Sequence, residues 1–215
     1  MPQKDYKMKA KKIFSWIILT FVFAFSAMSQ EKPDALKEWR NGNFIRAIEI
    51  CEGELKVDPY NMDAYSVLCW ALVDNGQYRE AEQRATQARK ISAYDVRIIE
   101  ILGEAKYYLD KNNEALTMFQ LYIANTQENA SRLGRVYYLT GEIYIKQAKY
   151  EHADIALSMA TRLEPKMTTW WTRLGYAREM ARDYTSAIAA YDNALQQNPS
   201  LSDAINGKNR CQSHL

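Results

Sequence analysis

At 215 residues the chain has the length of one ordinary domain or one short repeat array, and its 47% hydrophobic content supplies a real core, which excludes a disordered polymer. Lys and Arg number 28 against 26 Asp and Glu, a formal charge of +2 that excludes a strong overall field for drawing in nucleic acid or acidic substrates. With only 8 Gly and 5 Pro, and helix formers dominating after Pro33, an all-helical protein is expected.

The positive excess is local: Lys4, Lys7, Lys9, Lys11 and Lys12 face only Asp5. The apolar run that follows, "IFSWIILTFVFAFSAM" at 13–28, is shorter than the ~20 residues of a spanning helix. With Ala27 and Ser29 as small residues before a cut at Gln30, the three parts predict a secretory signal peptide over 1–29 and a periplasmic or secreted mature chain of 30–215. Met8 offers an alternative start. The competing reading is an uncleaved anchor that holds the remainder outside the membrane. Cys51, Cys69 and Cys211 are an odd number, which excludes a fully paired disulfide framework, and Cys51 and Cys69 lie in apolar stretches where free cysteine packs as a small hydrophobe.

From there one alanine recurs, in "FIRAIEIC", "YREAEQRA", "NNEALTMF", "YEHADIAL" and "YTSAIAAY": Ala47, Ala81, Ala115, Ala153 and Ala187, at intervals of 34, 34, 38 and 34. Seven residues later on the same helical face stand Glu54, Ala88, Tyr122, Ala160 and Ala194. Twelve residues earlier stands a residue that is always small, Ala35, Cys69, Gly103, Gly141 and Gly175, as a close contact between two helix backbones requires. Phe44, Tyr78, Tyr150 and Tyr184 precede their alanines by three, with Asn112 the exception. The turn signals "RNGN", "DNGQ" and "DKNN" separate two helix-length segments, and Pro59, Pro165 and Pro199 stop the second. Each unit therefore reads as a helical hairpin.

This pattern resembles the tetratricopeptide repeat, a 34-residue helix-turn-helix. The last unit carries the resemblance best, through Trp171, Leu174, Gly175, Ala187, Tyr191, Ala194 and Pro199. Arg178 departs from the usual tyrosine, and Ala93 and Gln127 replace the closing proline. The resemblance implies an all-α solenoid of about five units, at 28–61, 62–95, 96–129, 134–167 and 168–201. The extra residues "ASRL", 130–133, are expected to extend the next first helix backwards, and 202–215 to form a capping helix with Cys211 packed inside it.

Chemistry finds little purchase. His152 lies beside Ala153 and His214 falls in the terminal tail, so a nucleophilic triad has poor material, and no CxxC, HExxH, phosphate loop or EF-hand spacing occurs. Glu100 and Glu104, with Glu142, could in principle hold a cation, but a solvated or ion-paired helix face is the simpler reading. Dispersed basic residues argue against nucleic acid. No catalytic residue, metal site or cofactor is expected, and the chain reads as a non-enzymatic interaction scaffold. The resemblance places Trp39, Trp70, Tyr107, Tyr108, Tyr138, Glu142 and Tyr176 along a concave groove, where aromatic anchors would hold a peptide or protein segment. Each of them could equally pack between neighbouring helices. The clamp of lysines, arginines and asparagines by which some family members hold a partner's terminal carboxylate is not matched, since Leu36, Trp39 and Trp70 occupy the corresponding groove. The alternatives are a glycan or small-molecule binder stacking sugars on Trp39 and Trp70, and a self-associating structural subunit of the cell envelope.

Overall fold

A computed structural model describes residues 33–215; the lysine cluster, the apolar run and the cut at Gln30 lie outside the described residues. Among the described residues eleven helices follow one another with no strand: α1 (Ala35–Arg40), α2 (Phe44–Val57), α3 (Met62–Asp74), α4 (Tyr78–Ile91), α5 (Val96–Tyr108), α6 (Asn112–Asn125), α7 (Leu133–Lys146), α8 (Tyr150–Leu163), α9 (Thr168–Met180), α10 (Tyr184–Gln197) and α11 (Ser202–Gln212). The first helices α1, α3, α5, α7, α9 and α11 run side by side in one layer. Among the described residues the second helices bring their backbones close only to first helices and reach one another through long side chains, Arg84 of α4 to Glu52 of α2 and Arg89 of α4 to Met118 of α6, so the first-helix layer is the tighter, inner one.

The turn inside each hairpin is set by one left-handed residue five positions before the key alanine: Gly42, Gly76, Asp110, Ala148 and Arg182, with φ of +81°, +76°, +59°, +54° and +65°. Around each, two backbone bonds close the first helix, as where Gln77 N–H donates to Leu72 C=O and Gly76 N–H to Val73 C=O. This Schellman arrangement satisfies carbonyls that a helix end leaves open. Phe44, Tyr78, Asn112, Tyr150 and Tyr184 then each open a second helix, and α2, α8 and α10 stop just before Pro59, Pro165 and Pro199.

All five key alanines are 0% exposed. The small residue twelve positions earlier receives the side chain four positions after the alanine. A Cβ on Gly103 would fall 2.5 Å from the Phe119 ring, on Gly141 2.5 Å from Leu157 Cγ, and on Gly175 2.6 Å from the Tyr191 ring. In the first two units the corresponding pairs are Ala35 with Cys51 and Cys69 with Ala85, all five hairpins thus matching a small residue on one helix to a filler on the other. Cys51, Cys69 and Cys211 are free and buried.

Two expectations are corrected. Of the four extra residues only Leu133 joins α7; Ala130–Arg132 stay in the turn, where Ala130 N–H donates to Gln127 C=O and Leu133 N–H to Ala130 C=O. His214 is stacked on the Tyr184 ring, with centroids 4.5 Å apart and planes 10° apart, rather than free in a tail. The C-terminal α11 does cap the array. Ala204, Gly207 and Cys211 are buried, and Arg210 pairs with Glu179, which also accepts a 2.7 Å hydrogen bond from the Tyr191 hydroxyl.

Candidate inner-face interaction site

The inner layer brings the singled-out side chains together two at a time. Trp39 on α1 stacks on Trp70 on α3, with centroids 5.2 Å apart and planes at 25°. Trp39 Nε1 donates to Asp74 at 2.7 Å, and Trp70 Nε1 to Glu100 at 3.3 Å. The Arg132 guanidinium lies 5.8 Å from the Trp70 ring centre. Trp70 is therefore half-buried between Trp39 and Arg132 instead of pointing freely to the open side.

Tyr138 on α7 stacks on Trp170 on α9 at 5.0 Å and 10°. Tyr107 meets Tyr108 edge-on at 5.1 Å and receives the Lys146 ammonium 4.4 Å from its ring centre. Tyr108 turns the other way and stacks on Tyr78, at the start of α4, at 4.5 Å, so it belongs to the edge of the layer more than to its centre. Tyr176 carries the Arg173 guanidinium 5.1 Å from its ring centre. Burial pushes the Tyr107 and Tyr138 hydroxyls up to about 12, with the Glu142 charge adding to it, so both are neutral donors at any physiological pH.

The carboxylates sit beneath this layer. Glu142 accepts from Arg173 Nε at 2.7 Å and Nη2 at 3.0 Å. Glu100 and Glu104 are each 1% exposed. Glu100 accepts from Arg132 Nε and Nη2 at 2.9 and 2.8 Å, and Glu104 from Arg132 and from both Nε and Nη2 of Arg135. The reading of these acids as solvated or ion-paired is decided for ion-paired, and buried. Burial beside the Glu104 charge pushes the Glu100 carboxyl up to about 8 against the pull of Arg132. Burial would also raise Glu104, but Arg132 and Arg135 outweigh it and hold that carboxyl below its ordinary range. All three acids weighed as cation ligands are thus engaged by guanidinium groups. Among the described residues no group of three metal-ligating side chains occurs. Nor is any helix among them long and apolar enough to cross a membrane.

Sequence reasoning missed Arg132, Arg135, Arg173 and Trp170. A signal was present: Glu104 and Arg135, Glu142 and Arg173, and Glu179 and Arg210 share one sequence separation, slightly shorter than the repeat, and each pair joins one first helix to the next.

A family model described as Tetratricopeptide repeat matches residues 34–135, the first three hairpins and the entry to the fourth. The fold is a tetratricopeptide-repeat solenoid. Its repeats fit the solved structure titled for the functional characterisation of Pseudomonas aeruginosa pilF, at TM-score 0.72 and 18% identity, over 83% of this chain and 80% of that one. They also fit YrrB, titled a TPR protein with an unusual peptide-binding site, at TM-score 0.64 and 18% identity over 81% and 88% of the two chains. In sequence the chain is similar to the peroxisomal targeting signal receptor of Saccharomyces cerevisiae, 26% identical over 198 residues, which covers 83% of this chain and 31% of the receptor. The chain spans about a third of the length of the curated relatives it matches. Tetratricopeptide repeats form protein-interaction scaffolds, and the fold of this chain is of that kind.

Proposed function

We propose that the protein is an exported, non-enzymatic scaffold that binds an extended peptide or protein segment along the inner layer of first helices. The observation that carries the reading is the fixing of the half-buried rings of Trp39, Trp70, Tyr107 and Tyr138 by stacking, cation contacts and hydrogen bonds before any partner arrives. Rings already held in place lose little freedom on binding, so contact area converts to affinity at small entropic cost. A sugar-binding site is less well served, because the Trp70 ring is already stacked on Trp39 and approached by the Arg132 guanidinium. Periplasmic or secreted location rests on the export pattern over 1–29. The mass of native material tests it: a mature N-terminus near Gln30 is expected, and an intact one on membrane-bound protein favours the anchor instead.

Panning a random twelve-residue peptide library against the mature protein, then titrating the selected peptides, tests the site. Tyr107→Ala should weaken them about tenfold or more, as for an anchor worth ~1.5–2 kcal/mol, with helical circular dichroism unchanged. Peptides indifferent to that change and to Tyr138→Ala would place binding elsewhere. A self-associating scaffold has one observation in its favour, the exposed row of Val57 with Tyr60 and Ile91 with Tyr94 at the same places in adjacent units. Light scattering at increasing concentration distinguishes it.

A further inference from the structure

The groove reading leaves open what kind of segment is bound, and the arrangement of charge in the inner layer speaks to that. Although the chain is nearly neutral overall, its charges are sorted by depth here. Glu100 and Glu104 lie at the bottom with 1% exposure and Glu142 with 13%, whereas the side chains of Arg132, Arg135 and Arg173 above them are 26%, 35% and 34% exposed and Lys146 is 43% exposed. What a partner meets in this stretch is cationic, even where each pair sums to zero.

The guanidinium groups are also oriented alike. Arg132, Arg135 and Arg173 each direct Nε and Nη2 at the carboxylates below, and Arg135 Nη2 reaches the Tyr108 hydroxyl as well. None of the three Nη1 groups has a partner among the described residues. A guanidinium carries five N–H donors in a fixed fork, so each retains a charged edge that can still bind an anionic oxygen. Rings flank them: Trp70 beside Arg132, Tyr176 beside Arg173, and Tyr107 under Lys146. Held below by carboxylates and beside by rings, these cations have little rotamer freedom left to lose when they bind. At the rim the exposed Asp110 lies 3.3 Å from Lys146 Nζ.

We infer that the segment recognised by the α5–α9 stretch of the inner layer is acidic, its carboxylates received by the free guanidinium edges of Arg135 and Arg173 with Arg132 and Lys146 alongside, and its apolar side chains by Tyr107 and Tyr138. The inference rests on the groove reading above and names its partner class. Spacing makes it specific. Neighbouring helices of a layer lie roughly 8–10 Å apart, and an extended polyproline-type segment returns to the same face every third residue after about 9 Å. Arg135 stands third in α7 and Arg173 sixth in α9, four residues apart in repeat register, which adds about 6 Å along the helix axes; acidic residues three or four apart in an extended segment therefore match the two edges.

The panned library tests it. Selected peptides should be enriched in Asp or Glu pairs three or four residues apart. Replacing both acids by Asn or Gln should cost roughly tenfold or more in affinity, the scale of a charge-assisted contact, and raising salt from 50 to 200 mM should weaken the acidic peptides selectively. The paired substitution Glu142→Gln with Arg173→Gln removes one free edge without stranding a buried charge and should abolish the preference. Arg173→Lys, which keeps the ion pair but not the fork, should weaken it if the paired variant does not fold. Selected peptides that lack acids yet lose affinity in Tyr107→Ala overturn the acidic partner and leave the groove standing. Peptides insensitive to both Tyr107→Ala and the arginine changes overturn both.

Discussion

Gly175→Ala tests the packing rule on which every hairpin is built. On an exposed helix the change would stabilise by ~1 kcal/mol, because alanine is the better helix former. Here the new Cβ would fall 2.6, 2.7 and 2.9 Å from three atoms of the Tyr191 ring. The ring has nowhere to go: Tyr191 is 1% exposed, a Cβ on Gly207 across the other side would lie only 2.3 Å from its Cζ, and its hydroxyl is tied to Glu179. Overpacking costs ~1–3 kcal/mol, and a hydrogen bond to a charged group contributes ~1.5–3 kcal/mol if it breaks. Set against the helix gain, the net loss is about 2 kcal/mol, or roughly 4–8 °C in Tm for a chain of this size. Circular dichroism melts of four proteins complete the test. Tyr191→Ala alone should cost ~3–5 kcal/mol, but in that background Gly175→Ala should turn favourable by up to ~1 kcal/mol. A Gly175→Ala protein that melts at or above the parent temperature refutes the close-contact account.

Ala148→Gly and Arg182→Gly should each raise Tm by ~1–3 °C, because left-handed backbone costs an L-residue ~1–2 kcal/mol and the added freedom of glycine in the unfolded chain offsets only part of that; unchanged melts would mean the turns tolerate φ near +60° without strain. Because the Glu100 carboxyl binds its proton more tightly folded than unfolded, its contribution is full below the ordinary carboxyl range and lost as pH rises through about 8, at up to ~1.4 kcal/mol per pH unit. Urea melts should show that decline between pH 5 and 8 and a flatter profile in Glu100→Gln, and identical profiles would refute it. Burial pushes the Cys51 thiol up to about 12 and the Cys69 and Cys211 thiols upward too, so iodoacetamide at pH 8 should leave the native protein unlabelled and add three adducts in denaturant. Rapid native labelling of Cys51 would contradict its burial.

The fold is legible because it is written as a period. The recurrent alanine, the small residue twelve positions before it and the turn residues between them are local features, and repetition separates them from chance. The candidate site is legible only as a set of places. Register puts Trp39, Trp70, Tyr107, Tyr138 and Tyr176 on first helices, but which ring stacks on which depends on the offset between neighbouring helices, and a periodic sequence does not carry that offset. Hence the pairing of Tyr138 with Trp170 escapes a reading by register, and Tyr108 falls among the groove residues although it stacks outward on Tyr78. The arginines escape for another reason. Read one at a time they are dispersed among acids; only their constant separation from a glutamate on the preceding first helix reveals them as partners.

The array absorbs its one irregular interval, between Ala115 and Ala153, without disturbing the hairpin that follows. Four residues added to a helix would lengthen it by about 6 Å and turn its apolar face by ~40°, since a turn takes 3.6 residues. Instead one residue enters α7, which runs 14 residues against 13 for α3, α5 and α9, and the other three stay in the connecting turn. The joint between α6 and α7 is consequently the thinnest contact between consecutive helices in the array. It is also where the buried acids are concentrated. Arg132, from within the inserted turn, reaches back to Glu100 and Glu104, and Arg135 from the first turn of α7 reaches the same Glu104. Ion pairs with fixed fork geometry prescribe one arrangement where apolar packing alone would accept several. The insertion thus loosens the stack at one point and supplies the side chain that sets its register there.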